Sequence, residues 1–106
     1  MSKNIEKKQV IELQSLVDYT ANSIARQEVL HSDTGSATVF AFDAGQGFGK
    51  HAAPFDVIIQ ILDGEGEIMI EDELFHPHAG EILIIPKGAI HAVTAVKRFK
   101  MLLTKI

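Results

Sequence analysis

From Ser23 onward the chain is a succession of short β-branched and aliphatic runs, each cut by a cluster of turn-forming residues, with no sustained helical period. That alternation constrains the fold more than any other feature, because short strands at regular spacing pack as an antiparallel barrel or sandwich. Residues 24–30 and 37–42 read as two strands around the turn Ser32-Asp33-Thr34-Gly35. In the second, Thr38, Phe40 and Phe42 fall on one face and Ala37, Val39 and Ala41 on the other, both free of charge. Residues 43–50, with glycine at 45, 47 and 49, read as a loop. Further strands are expected at 57–62, 67–70, 74–78, 82–85, 91–96 and 99–104, with Asp63-Gly64, Glu71-Asp72-Glu73, Ala79-Gly80 and Pro86-Lys87-Gly88 as breaks. Ahead of them, Val10, Leu13 and Leu16 or Val17 recur at helical spacing, which predicts a two-turn helix within residues 10–19. The expected organisation is one domain: residues 1–22 a tail and short helix, residues 23–106 the barrel.

At 106 residues the chain can bury one core and little more. Hydrophobic residues make up 46% against 23% charged, a globular balance. Cysteine is absent, which removes disulfides and thiolate ligands. A net charge of −4 without a basic stripe argues against nucleic acid, whose phosphates need neutralising cations. The polar start MSKNIEKK lacks the apolar block of a signal peptide, and no apolar run is long enough for a bilayer. The expectation is a cytoplasmic protein with a small-molecule ligand, and neither nucleic acid nor membrane as partner.

One segment is more specific. Gly80, five residues, Pro86, one residue, Gly88, two residues, His91 frames a strand of four aliphatics with turn-forming residues. Glycine opens the strand, proline stops its ladder, and Gly88 permits a left-handed corner that re-aims the chain into a new strand at His91. This segment resembles the second motif of the cupin superfamily, which ends in an Asn where this chain has Ala95. Upstream, Gly45, five residues and His51, with Gly64 closing, resembles the first cupin motif. The resemblance covers residues 35–106 and implies an all-β, cupin-type (RmlC-like) antiparallel β-barrel, a double-stranded jelly roll. With HAAPFD, DGEGEI and RFKMLLTKI, the chain is similar to small bacterial single-domain cupins, most without an assigned function.

The resemblance implies four metal ligands, but Ala53 and Val57 stand at two of those positions, leaving His51 and His91. Two imidazoles are short of the three or four ligands of typical sites. Asp56 would complete a two-histidine, one-carboxylate set only if a bulge near Pro54 reversed its parity, and Gln60 needs the same bulge to turn inward. The candidate pocket is therefore His51, His91, Gln60, Phe42, Phe55 and Met101, with His51, His91 and Asp56 the candidate holders of a divalent transition metal. No organic cofactor is expected. Without metal, the two histidines either satisfy each other as buried polar groups or bind and exchange protons with a ligand.

Other features read as ordinary surface or core. His76 and His78 form a solvated pair in an outer hairpin, and His31 sits beside a turn. Residues 71–73 are a hairpin tip. The glycines at 45, 47 and 49 lack the strand-to-helix context of a phosphate loop, and no serine lies in a nucleophile elbow. Ile58 and Leu62 on the outer face of 57–62 need cover from the N-terminal segment or a second subunit, and a homodimer is expected. Two functions remain open: a cupin binding a small polar molecule near His51 and His91, or a metal-dependent dioxygenase, isomerase or lyase acting on a small acid or sugar.

Overall fold

The computed structural model describes residues 5–106 and is all-β. Its strands are β1 (Ile24–Ser32), β2 (Gly35–Phe42), β3 (Gly47–His51), β4 (Val57–Gly64), β5 (Glu67–Ile70), β6 (Glu73–Phe75), β7 (Ile82–Ile85), β8 (His91–Thr94) and β9 (Phe99–Lys105). They form a five-stranded sheet, β1-β2-β9-β4-β7, and a four-stranded sheet, β3-β8-β5-β6. All pairings within the two sheets are antiparallel. The turns that cut the sequence are where the chain changes direction. Gly80 and Gly88 both take positive φ, +90° and +82°, bracketing β7 as the glycine–proline–glycine frame requires.

The inner faces of the two sheets meet in a core of Phe42, Ile59, Ile61, Ile68, Ile85, Phe99 and Met101. At one end the packing closes completely. Phe42 and Phe99 stack with centroids 4.7 Å apart and planes 7° from parallel. Gly66 lies against Phe99, where a Cβ would stand 3.0 Å from the ring. Gly64 turns the chain at φ +74° beside the Arg98 carbonyl.

Two expectations are corrected. The two-turn helix over residues 10–19 is only a 3-10 turn, Leu13–Ser15. Val10 is fully exposed, so the expected apolar stripe loses its first member. Leu13, Leu16, Val17 and Tyr19 instead pack across the outer face of the five-stranded sheet, on Val39, Ala41, Leu62 and Leu102. Lys100 donates to the Gln14 carbonyl at 2.6 Å, and the Tyr19 hydroxyl to Asp63 at 2.6 Å. So short a helix is marginal alone, and these tertiary contacts decide the conformation. The N-terminal segment thus covers one part of the outer face that needed cover, while Ile82 and Ile84 on the edge strand β7 stay 57% exposed.

The second correction concerns residues 43–50, which are not all loop: β3 begins at Gly47 and pairs with β8. A Cβ at Gly47 would stand 2.2 Å from the Val93 carbonyl oxygen, so the missing side chain is what lets β3 approach. Glycine here makes a strand possible rather than marking its absence.

Candidate functional site

The end of the barrel opposite the Phe42–Phe99 stack is open, with a cavity of about 890 Å³. That volume lies within the range of pockets that bind small ligands. Phe40 and Phe48, in edge-to-face contact at 5.3 Å, stand between it and the closed core. Ile59, Val93 and Leu103 continue its apolar lining, and Phe55 lies at the end of the loop after β3.

His51 and His91 both line this cavity. They are direct cross-strand partners on β3 and β8, with ring centroids 4.3 Å apart. The pairing depends on an irregularity. Phe48 pairs with Val93, yet His51 pairs with His91, so three residue steps on β3 match two on β8. In a regular strand residues 48 and 51 would face opposite ways; the bulge puts both on the inner face. His91 is buried and His51 exposed, so the pair runs from the wall to the mouth.

Each imidazole is oriented by a backbone carbonyl two residues earlier. His51 Nδ1 lies 3.0 Å from the Gly49 oxygen and His91 Nδ1 2.9 Å from the Ala89 oxygen. A carbonyl only accepts, so Nδ1 carries the proton that is donated, and Nε2 of each neutral ring is left as an acceptor. Two such nitrogens side by side can accept hydrogen bonds from a ligand's hydroxyl or ammonium group.

A second bulge, between Glu28 and Leu30 in β1, acts in the same way on a third histidine. Leu30 pairs with Ala37 and His31 with Ser36, which brings His31 to the inner face and to the cavity lining. His31, expected as ordinary surface beside a turn, thus joins the cavity wall, and a bulge in a polar strand leaves no fixed residue pattern to announce it.

The other sequence-named residues divide. Phe55 lines the cavity. Phe42 and Met101 are fully buried in the closed core, outside the lining. Gln60 sits on the outer face between Ile82 and Leu102, since β4 keeps regular register through Ile61 and nothing reverses its parity. Asp56 is a corner residue. Its carboxylate accepts the Lys87 backbone N–H at 2.8 Å and its carbonyl accepts the Ile106 N–H. The bulge sits before His51 and not at Pro54, so Asp56 gains no inward turn from it.

The donors therefore do not fit the metal site that the fold family implies. Val57 and Ala53 offer no ligand atom, Asp56 is engaged elsewhere, and no group of three or more metal-ligating side chains converges among the described residues. Sequence reasoning missed Arg26, Thr38, Phe48, Leu103 and Lys105 as lining. Leu103 and Lys105 continue the alternation of Met101 on β9, as Thr38 continues that of Phe42 on β2, and were legible in principle; Arg26 follows from the β1–β2 register and Phe48 from a strand that forms by pairing with β8.

His76 and His78 lie away from the cavity, paired with acidic neighbours: His76 with Glu67 at 3.3 Å, His78 with Glu65 at 3.0 Å and Glu81 at 3.1 Å. The His78 backbone N–H and then its ring hold the Glu81 carboxyl below its usual range. These contacts tie the β6–β7 turn to β5 and its preceding corner.

Comparison with known structures places this architecture. A conserved protein of unknown function from Streptococcus pyogenes is 32% identical, with a TM-score of 0.92 over 99% of this chain and 92% of that one. A cupin superfamily protein from Desulfitobacterium hafniense is 26% identical, with a TM-score of 0.90 over 100% of this chain and 97% of its own. An RmlC-like cupin protein from Desulfovibrio desulfuricans is 27% identical, with a TM-score of 0.78 over 92% and 95% of the two chains. No match was found among curated proteins. The family model for the AraC-like ligand binding domain matches residues 34–103, a span that contains β3, β8, both histidines and most of the cavity wall. The chain is a cupin-fold protein and belongs to the family of AraC-like ligand binding domains.

Proposed function

We propose that this protein binds a small polar molecule in the open end of its barrel, gripped by the His51 and His91 imidazoles against an aromatic floor. The observation that carries this reading is the pair itself: two cross-strand imidazoles 4.3 Å apart, each with Nδ1 on a backbone carbonyl, on the wall of a cavity large enough for a metabolite. A pair serving only to satisfy itself would use ring nitrogens on each other, whereas here each ring is fixed by the backbone. The donor set supports binding over metal-dependent catalysis, because a cation held by two imidazoles lacks the third protein ligand that catalytic sites use.

The test is a metabolite screen read by protein NMR on the imidazole signals of His51 and His91, with melting temperature as a second readout. A ligand that selects the folded state raises the melting temperature and moves both rings. His51→Ala and His91→Ala remove both responses while the fold persists. Near-stoichiometric uptake of Fe, Mn, Ni or Zn, abolished by the same substitutions, would replace this reading with the metal-dependent one. The exposed Ile82 and Ile84 on edge strand β7 support a homodimer, which light scattering at micromolar concentration tests; a monomer there counts against it.

A further inference from the structure

The wall built by β1, β2 and β9 carries charge that the protein leaves uncompensated. Its inner-face rows run Arg26–Phe40, then Glu28–Thr38–Leu103, then His31–Ser36–Lys105. Arg26, Glu28 and Lys105 all line the cavity, and none forms an ion pair among the described residues. Elsewhere opposite charges do meet, as Arg98 and Asp43 at 2.7 Å.

Arg26 and Glu28 had the opportunity. They point the same way at i and i+2 of one strand, about 7 Å apart at Cα, a span their side chains bridge easily. Instead the Arg26 guanidinium lies over the Phe40 ring, 5.3 Å from its centroid, and the Lys105 ammonium lies 5.4 Å from that of Phe55. Both rings are themselves part of the lining. Each cation is held against the wall by an aromatic face, and the Glu28 carboxylate is left facing the cavity between their rows. Thr38, a buried hydroxyl, lies directly across from Glu28. A planar fork of donors and a carboxylate two positions apart, beside an apolar floor, complement a molecule with both charges at one end and a hydrocarbon body.

Building on the proposed ligand-binding role, we infer that the molecule held is an α-amino acid with an apolar side chain, its carboxylate on Arg26, its ammonium shared between Glu28 and the Nε2 acceptors of the histidine pair, and its side chain against Phe40, Phe48 and Leu103. Lys105 lies two rows from Arg26, beyond Glu28, and takes no part in this grip.

Calorimetric titration separates the charges. The probes are phenylalanine and leucine, the deaminated acid 3-phenylpropanoate, the decarboxylated amine phenethylamine, and a neutral pentose. Phenylalanine or leucine is expected to bind at least tenfold more tightly than the acid or the amine. Glu28→Gln should bring phenylalanine down to the affinity of 3-phenylpropanoate, and Arg26→Gln down to that of phenethylamine. Both substitutions lie on an exposed or half-buried strand position, and circular dichroism verifies that the fold is kept. Equal or tighter binding of the acid, or amino-acid binding indifferent to both substitutions, overturns the inference. Pentose binding that shifts His51 and His91 while no amino acid binds also overturns it, yet leaves the proposed ligand site standing. If no probe binds and a broad metabolite screen leaves both rings unmoved, the inference and the proposed site fall together.

Discussion

At one end of this barrel Phe42 and Phe99 stack at 4.7 Å beside Gly66, where an added Cβ would stand only 3.0 Å from the Phe99 ring; at the other, the same strands diverge around a cavity of about 890 Å³. β2 shows the difference within one strand. Its inner residues run Phe42, Phe40, Thr38, Ser36, from fully buried aromatic to hydroxyl at the mouth. On β9 the order is Phe99, Met101, Leu103, Lys105. Side-chain volume and polarity, graded along neighbouring strands, close the barrel at one end and open it at the other. The closed end holds the fold, since apolar burial is the main favourable term. The open end forgoes some of that burial for histidine, arginine and glutamate, which a structural core has no use for.

If the division is real, substitutions at the two ends fail differently. The largest effect is expected from Phe99→Ala. Removing a fully buried aromatic together with its stacking contact to Phe42 costs about 3–5 kcal/mol, which lowers the melting temperature by roughly 12 °C or more. Calorimetry measures this, and a loss under about 1 kcal/mol would mean the closed end does not carry the fold.

Gly47→Ala sits between the two ends in effect. Its Cβ would meet the Val93 carbonyl at 2.2 Å, so β3 must move off β8 at a cost of about 1–3 kcal/mol. Because β3 also carries His51, the nuclear Overhauser contact between the two imidazoles should weaken. An unchanged contact would show that β3 is not set by this close approach.

Tyr19→Phe removes the hydroxyl that holds the N-terminal segment to Asp63, and about 1 kcal/mol of stability should go with it, with faster amide exchange over residues 13–19. His51→Ala is expected to change stability by less than about 0.5 kcal/mol, since the ring is exposed, while abolishing ligand response. A large loss of stability there would make His51 a structural residue.

The smallest effect concerns pH. The Arg98 guanidinium, followed by the Asn22 backbone N–H, holds the Asp43 carboxyl below its ordinary 3.8. A carboxyl with a lowered folded-state value stabilises the protein above the unfolded value and loses that contribution as pH falls through the folded one. Asp43→Asn should therefore reduce stability slightly at neutral pH and flatten its decline below about pH 4. An identical acid limb in the two proteins would remove the pair from the account.

The sequence-level reading succeeded where local chemistry dictates geometry. Gly80, Pro86 and Gly88 frame a strand because a positive-φ corner and a missing N–H act within a few residues. Alternation on β2 correctly separated Phe40 and Phe42 from Val39 and Ala41, which enter different clusters. It failed where position depends on a distant partner. The turn at Leu13–Ser15 replaces a helix because the sheet and Lys100 compete for its side chains and carbonyls. β3 forms in a glycine-rich stretch because β8 lies beside it. In the site, His51 and His91 were legible from spacing, whereas Arg26, Glu28 and His31 were not: their shared face follows from the hairpin register and a bulge that no residue type announces.

The account rests most heavily on the two imidazoles meeting at the open end with their Nε2 atoms free. Long-range nitrogen–proton correlation spectra of uniformly labelled protein report the tautomer of each ring, and a nuclear Overhauser experiment reports their proximity. The structure predicts Nδ1–H signatures for His51 and His91 and a direct cross-peak between the rings. Nε2–H signatures with no cross-peak would place the rings apart and contradict it.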